Sequence, residues 1–143
     1  MTREDKMLLI KDLSARLPYA VTVEHTRGFR GTLHDLTVHH MYDDNDNVYD
    51  AICYTDFFGD NDDIYIEFFK PYLFPMSSMT DEQKEELSNE MCYLTHSQIE
   101  GRNPNGLIES TVFEIDFYNK HHIDYRGLIE KGLALDATGK NIY

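Results

Sequence analysis

The chain opens on a helical spacing of apolar residues and then changes period. In REDKMLLIKDLSARL, residues 3–17, Leu9, Ile10, Leu13 and Leu17 fall on one stripe, with Asp5, Lys6 and Asp12 elsewhere. Thr2 suits an N-cap, and Pro18 ends the helix because the residue before a proline is pushed out of the α region. From residue 19 the period is two. YAVTVEHT, residues 19–26, places Val21 and Val23 on one face and Thr22 and Glu24 on the other. Arg27-Gly28 reads as a turn. Residues 29–41 read as a second strand with Leu36 and Val38 facing in, and Gly31 marks a bulge or bend. DDNDN, residues 43–47, is a loop. Residues 48–57 make a third strand, GDNDD at 59–63 a turn, and residues 64–70 a fourth strand that stops at Pro71. Ile64, Ile66 and Phe68 share one of its faces.

Residues 71–79, PYLFPMSSM, read as an apolar linker with two prolines. TDEQ, residues 80–83, is a capping box that starts a helix with Leu87, Met91 and Leu94 as its buried stripe. GRNPNG, residues 101–106, is a loop. Residues 107–122 fit two periods, since Phe113, Ile115 and Phe117 alternate while Phe113 and Phe117 are also four apart. The reading adopted is a helix over residues 110–121. Asp124 then caps a last short helix over residues 125–131, with Gly132 at its left-handed end. The order predicts an α+β fold: an N-terminal helix, a small bent antiparallel sheet of about four strands, open or closed like an SH3 or Sm barrel, and two to three C-terminal helices. One domain is expected over residues 1–143, with helix and meander in residues 1–75 and a helical part, residues 76–143, packed on it.

Charge adds a feature that the hydrophobic pattern does not show. The formal net charge is −13, and it is unevenly spread. Residues 1–30 hold six Lys and Arg against four acids. Residues 31–69 hold ten acids and no Lys or Arg. Residues 70–143 hold seven bases and twelve acids. Such a surface repels phosphate backbones, so direct nucleic-acid binding is not expected; it attracts cations and basic protein surfaces. An apolar fraction of 41%, with ten Tyr and eight Phe, argues against disorder. No apolar run is long enough for a membrane span, and MTREDKMLLIKDL lacks a signal-peptide core, so a cytoplasmic location is expected. Cys53 and Cys92 form no CxxC pattern and are expected as reduced thiols, without zinc or redox chemistry.

Three stretches carry a resemblance: LPY after the first helix, KPYLFPMSSMT at residues 70–80, and HHIDYRGLIEKGLALDA at residues 121–137. Together they resemble a family of small proteins of gut anaerobic bacteria, their phages and mobile elements. The middle, residues 40–63, departs most from it. The resemblance implies an accessory, cytosolic role and carries over no activity and no catalytic residue.

Candidate chemistry is sparse. His39, His40, His121, His122 and Asp124 are weak metal candidates, because neighbouring residues on a strand point to opposite faces and one pair cannot chelate alone. The simpler reading has His121 and His122 closing a helix C-terminus, where imidazole complements the dipole, with one ring on Tyr125. The Asp-rich loops fail the calcium pattern, which needs oxygen ligands at alternate positions and a glycine at the sixth. Arg126 and Gly127 fall in the first turn of the last predicted helix, where Asp124 already occupies the anion position; Gly127 is expected to permit close packing. No phosphate loop, nucleophile elbow or HExxH is present, and no cofactor is expected.

The leading expectation is a non-enzymatic interaction module, a phage or mobile-element accessory or inhibitor that docks a basic host protein. Its acidic face would comprise Asp43, Asp44, Asp46, Asp50, Asp60, Asp62 and Asp63, with Tyr42 and Tyr49 as aromatic anchors. A second expectation is a small-ligand-binding or sequestering protein with a pocket between sheet and helices, where Arg27, Arg30, Lys70 and Arg126 are the cations available to a phosphorylated ligand. A third is a metal-dependent hydrolase using the His and Asp residues.

Overall fold

The computed structural model describes residues 1–42, 47–55 and 64–143. Helix α1 spans Arg3–Arg16 and begins on a capping box: Asp5 N–H donates to Thr2 Oγ1 at 3.1 Å, and the Asp5 carboxylate accepts from Thr2 N–H. Leu9, Ile10 and Leu13 are buried as the spacing predicts. A 3-10 turn, Leu17–Tyr19, follows, and Ala20 takes a left-handed conformation. Strand β1, Thr22–His25, is therefore shorter than the alternation over residues 19–26 suggests. Strands β2, Arg30–Tyr42, and β3, Asn47–Thr55, form a long antiparallel hairpin.

The hairpin register shifts between Leu33 and Asp35, not at Gly31, which pairs with Val23. The extra residue turns Leu36 to the same side as Leu33, three positions earlier, and both pack on the core. Val38 lies beyond the core and is exposed.

The predicted fourth strand is divided. Strand β4 is only Ile64–Tyr65, a 3-10 turn covers Ile66–Phe68, and strand β5 runs Phe69–Pro75. The turn buries Ile66 and leaves Phe68 exposed, so they do not share a face. The supposed linker is thus a principal strand. Pro71 does not stop it, for a reason visible in the ladder. Thr26 N–H donates to the Phe68 carbonyl, which makes Glu24 opposite Lys70 the next hydrogen-bonded rung. Pro71 faces Val23 at the alternate, non-bonded rung, where a missing N–H costs no bond to β1.

Helix α2, Asp81–Ile99, starts on the predicted capping box of Thr80 and Gln83. Helix α3, Gly106–Lys120, resolves the ambiguous segment as helix. Gly106 allows the two helices to close, since a Cβ there would lie 2.1 Å from the Leu94 carbonyl oxygen. Strands β6, Ile123–Asp124, and β7, Leu135–Asp136, follow one another along β5, both parallel to it.

The architecture is α+β around a mixed sheet ordered β4-β3-β2-β1-β5-β6, with β7 also on β5. Among the described residues no pairing joins its two ends, so the sheet is open and the barrel expectation is corrected. One core cluster packs α1 on the sheet through Leu9, Leu13, Val23, Leu33 and Phe69. A second joins Met79, Leu87, Phe117, Tyr118 and Ile123. Among the described residues no helix is long and apolar enough to cross a membrane.

The expected last helix is absent. Gly127 and Gly132 both have φ near +70°, and residues 125–134 form successive turns. Asp124 caps these turns instead: its two carboxylate oxygens accept the Leu128 and Ile129 N–H groups, each at 2.8 Å. Gly127 serves its positive φ; a Cβ there would touch nothing within 4 Å, so close packing is not its role.

The polar side of α1 also differs from the sequence reading. Asp12 and Arg16 are fully buried, with side chains 0% exposed. Arg16 Nε donates to Asp12 Oδ2 at 2.7 Å and Arg16 Nη2 to Asp12 Oδ1 at 3.1 Å. The guanidinium also donates to the carbonyls of Ile123, at 2.8 Å, and Tyr118, at 3.4 Å. This pair fastens α1 to the end of α3 and the start of the turn segment. Asp12→Ala would leave the Arg16 charge buried without its carboxylate, and we predict a loss of ~3–5 kcal/mol in urea denaturation. The joint replacement Asp12→Leu with Arg16→Met is predicted to cost much less, because it removes both fully buried charges and leaves only the partly exposed Arg126 without its carboxylate. Equal losses for the two variants would contradict the role assigned to the pair.

Candidate functional site

Parallel pairing of β5 with β6 and β7 brings residues 70–80 against residues 121–137. A cleft of about 350 Å³ opens where they meet. Phe74, Ser78, Thr80 and Gln83 line one side; Lys120, His121, His122 and Ile123 line the other, with Tyr143.

Each histidine is held by a different device. His121 is the C-cap of α3, with its N–H on the Phe117 carbonyl and its ring 4.4 Å from the Phe117 ring. Its Nδ1 lies 3.3 Å from Gln83 Nε2, and its Nε2 is buried without a partner. His122 has a left-handed backbone, φ +54°, which is uncommon outside glycine and is fixed here on both sides. Its N–H donates to the Asn119 carbonyl and its carbonyl accepts the Phe74 N–H at 2.8 Å. The His122 ring stacks on Tyr143, centroids 3.8 Å apart and planes within 8°. Its Nδ1 is also buried and unpartnered.

Burial first, then the Lys120 charge, lowers the His121 pKa, with Glu86 opposing. Burial, then Arg16 and His121, pushes His122 down to about 4. Both rings are thus neutral at pH 7 and do not complement the helix dipole as imidazolium. Nor does either ring pack on Tyr125, which stacks on Tyr118 at 5.5 Å.

Tyr143 forms a wall of the cleft and a wedge in the sheet. Thr22 and Tyr72 occupy the next hydrogen-bonded rung between β1 and β5, beyond the last paired residues. There Thr22 N–H donates to the Tyr143 hydroxyl at 3.2 Å, and that hydroxyl donates to the Tyr72 carbonyl at 2.6 Å. Burial raises the Tyr143 pKa to about 12, so the hydroxyl keeps its proton.

The cations expected to bind a ligand are placed elsewhere. Arg30 Nε donates to Glu24 at 2.7 Å and its guanidinium lies 5.1 Å from the Tyr72 ring centre. Lys70 is the register partner of Glu24 across β1 and β5, as Arg30 is across β1 and β2. Tyr72 donates to the Glu24 carboxylate at 2.5 Å. Arg27 sits in the turn after β1, its N–H on His25 Nδ1 at 3.0 Å. Arg126 belongs to the buried pair, 3.3 Å from Asp12 and over Tyr125. None of the four lines the cleft; Lys120 does.

Among the metal candidates, Asp124 has both oxygens engaged by backbone N–H groups. The backbones of His39 and His40 pair with Asp50 and Tyr49, and their side chains lie outside the described residues. Among the described residues no group of three or more His, Cys, Asp or Glu could hold a metal ion. Asp43, Asp44, Asp46, Asp60, Asp62 and Asp63 of the expected acidic face lie outside the described residues; of Tyr42, Tyr49 and Asp50 only the backbone register is described. Cys92 is an exposed free thiol.

Sequence reasoning named the two histidines but missed Phe74, Ser78, Thr80, Gln83, Lys120 and Tyr143 as their companions. The capping box was a usable signal for Thr80 and Gln83. Nothing local indicated that β5 would carry them to the end of α3.

A pH dependence follows from His122. Its folded pKa of about 4 lies below the ordinary 6.5, so the unfolded chain takes up the proton first as pH falls. Stability is complete above pH 6.5 and declines toward pH 4, by about 3 kcal/mol for a ring shifted this far. His25 and His121 shift in the same direction, each chiefly through burial. We predict that His122→Asn, which tolerates the left-handed backbone, flattens the slope of stability across this window in a urea-denaturation series. An unchanged slope would count against the assignment.

No protein-family model matches this chain, and neither a curated protein nor a solved structure does.

Proposed function

We propose that this protein binds a small ligand in the cleft between β5 and the helical pair α2–α3. The observation that carries the reading is two adjacent histidines lining one cleft, each with a buried ring nitrogen that has no protein partner. A buried polar group left unsatisfied costs about 1–3 kcal/mol; Thr55, Asn119, Tyr125 and Arg126 also carry one, but of these residues only the two histidines line the cleft. The left-handed backbone of His122 adds strain at the same point, and strain of this kind concentrates at ligand sites. The volume falls at the small end of ligand pockets. A fragment screen read by NMR tests the reading, with His121 and His122 signals as reporters. We predict that some fragments move both sets of signals and raise the melting temperature; at a hundredfold excess over Kd the gain is about 2.7 kcal/mol. A diverse screen that moves neither ring would refute it.

A second reading is supported by the hairpin. Strands β2 and β3 stay in register from Thr37–Ile52 out to Tyr42–Asn47, past Leu36, which packs on the core. This arm falls within the segment of ten acids without Lys or Arg. It suits docking on a basic protein, as an accessory or inhibitor protein of a phage or mobile element would require. Replacing Asp43, Asp44, Asp46, Asp60, Asp62 and Asp63 by Asn is predicted to abolish capture of a stoichiometric basic partner from lysate. A partner retained by that variant would remove the acidic arm from the account.

A further inference from the structure

We infer that the cleft accepts a small organic anion, with a carboxylate at the His121–Lys120 side and a compact apolar body over Phe74 and Ile123. The inference rests on the ligand-cleft reading and adds the chemical class. It starts from the capping box of α2. Gln83 Oε1 accepts the Thr80 N–H at 2.9 Å, which fixes the orientation of the Gln83 amide. Its Nε2 group therefore faces His121 Nδ1 and donates to it. A neutral imidazole that accepts at Nδ1 carries its proton on Nε2. The unpartnered Nε2 of His121 is thus a buried donor lacking an acceptor.

Two neighbouring groups, Thr80 and Lys120, have the same polarity, while Ser78 already donates to the Pro75 carbonyl. Thr80 Oγ1 accepts the Gln83 N–H at 3.2 Å, which leaves its hydroxyl hydrogen free to donate. Among the described residues Lys120 is the only fully charged side chain in the lining, and it is exposed. Among the described residues no Asp or Glu lines the cleft, in a chain with 26 acids against 13 Lys and Arg. Glu86 acts on His121 from α2 but stays out of the lining. Phe74, Ile123 and the Tyr143 ring supply the apolar surface. With three donors and no carboxylate among its described lining residues, a cleft of about 350 Å³ favours an acceptor with negative charge and a small hydrophobic body.

Titration of the whole protein, labelled with 15N in its histidine rings, tests this with three probes: benzoate, benzyl alcohol and inorganic phosphate. Benzoate is expected to move the His121 Nε2 signal and to bind about tenfold tighter than benzyl alcohol. Lys120→Gln, at an exposed position, is expected to weaken benzoate about fivefold and leave benzyl alcohol unchanged. Equal affinities for benzoate and benzyl alcohol would overturn the anion. Phosphate binding as tightly as benzoate would overturn the organic body. Neutral fragments that move the histidines while benzoate does not would also overturn the anion but leave the ligand cleft standing. If no probe or fragment moves either ring, both readings fall.

Discussion

The fold depends on one buried ion pair. Asp12 and Arg16 lie one turn apart on α1, both without solvent exposure, and the guanidinium continues to the carbonyls of Tyr118 and Ile123. Two charges removed from water are costly unless every polar atom is met, and here the fork geometry meets them. Tyr125 covers the site, with Arg16 5.6 Å and Arg126 4.8 Å from its ring centre. The pair therefore sets where α3 ends and where the chain turns toward β5. That turn is His121-His122, so a contact on the first helix positions residues more than a hundred places later.

Two further constraints shape the cleft from that fixed point. The first is the left-handed His122, which directs the chain into a parallel pairing with β5 through the Phe74 N–H. The second is Tyr143, whose hydroxyl replaces a direct rung between β1 and β5 while its ring covers one face of His122. The opening between sheet and helices is thus bounded by groups that are tied to backbone. Pre-organisation of this kind keeps the imidazoles neutral and their free nitrogens in place before any ligand arrives.

Elements set by local chemistry were legible in the sequence. The stripe of Leu9, Ile10 and Leu13, the capping box at Thr80, the alternation of Val21 and Val23, and the left-handed Gly132 all depend on near neighbours, and all appear in the structure. What was not legible depends on partners far along the chain. Pro71 looked like a stop because its rung opposite Val23 was unknown. Asp12 fell off the apolar stripe and Arg16 had no assigned place, because the carbonyls that hold Arg16 come from Tyr118 and Ile123. The turn segment looked helical because Asp124 would cap a helix and a series of turns alike, and only the positive φ of Gly127 separates them. Of the cleft, the histidines were visible as a pair; the surrounding lining was not, since it exists only once β5 is recognised as a strand.

The most direct test of the central claim is a residue-by-residue pH titration of the histidine rings by NMR. His121 is expected to titrate below the ordinary 6.5 and His122 near pH 4, with the proton of neutral His121 on Nε2. Rings that titrate together near 6.5, or a His121 proton on Nδ1, would mean solvated side chains and no pre-formed cleft, and would contradict the account.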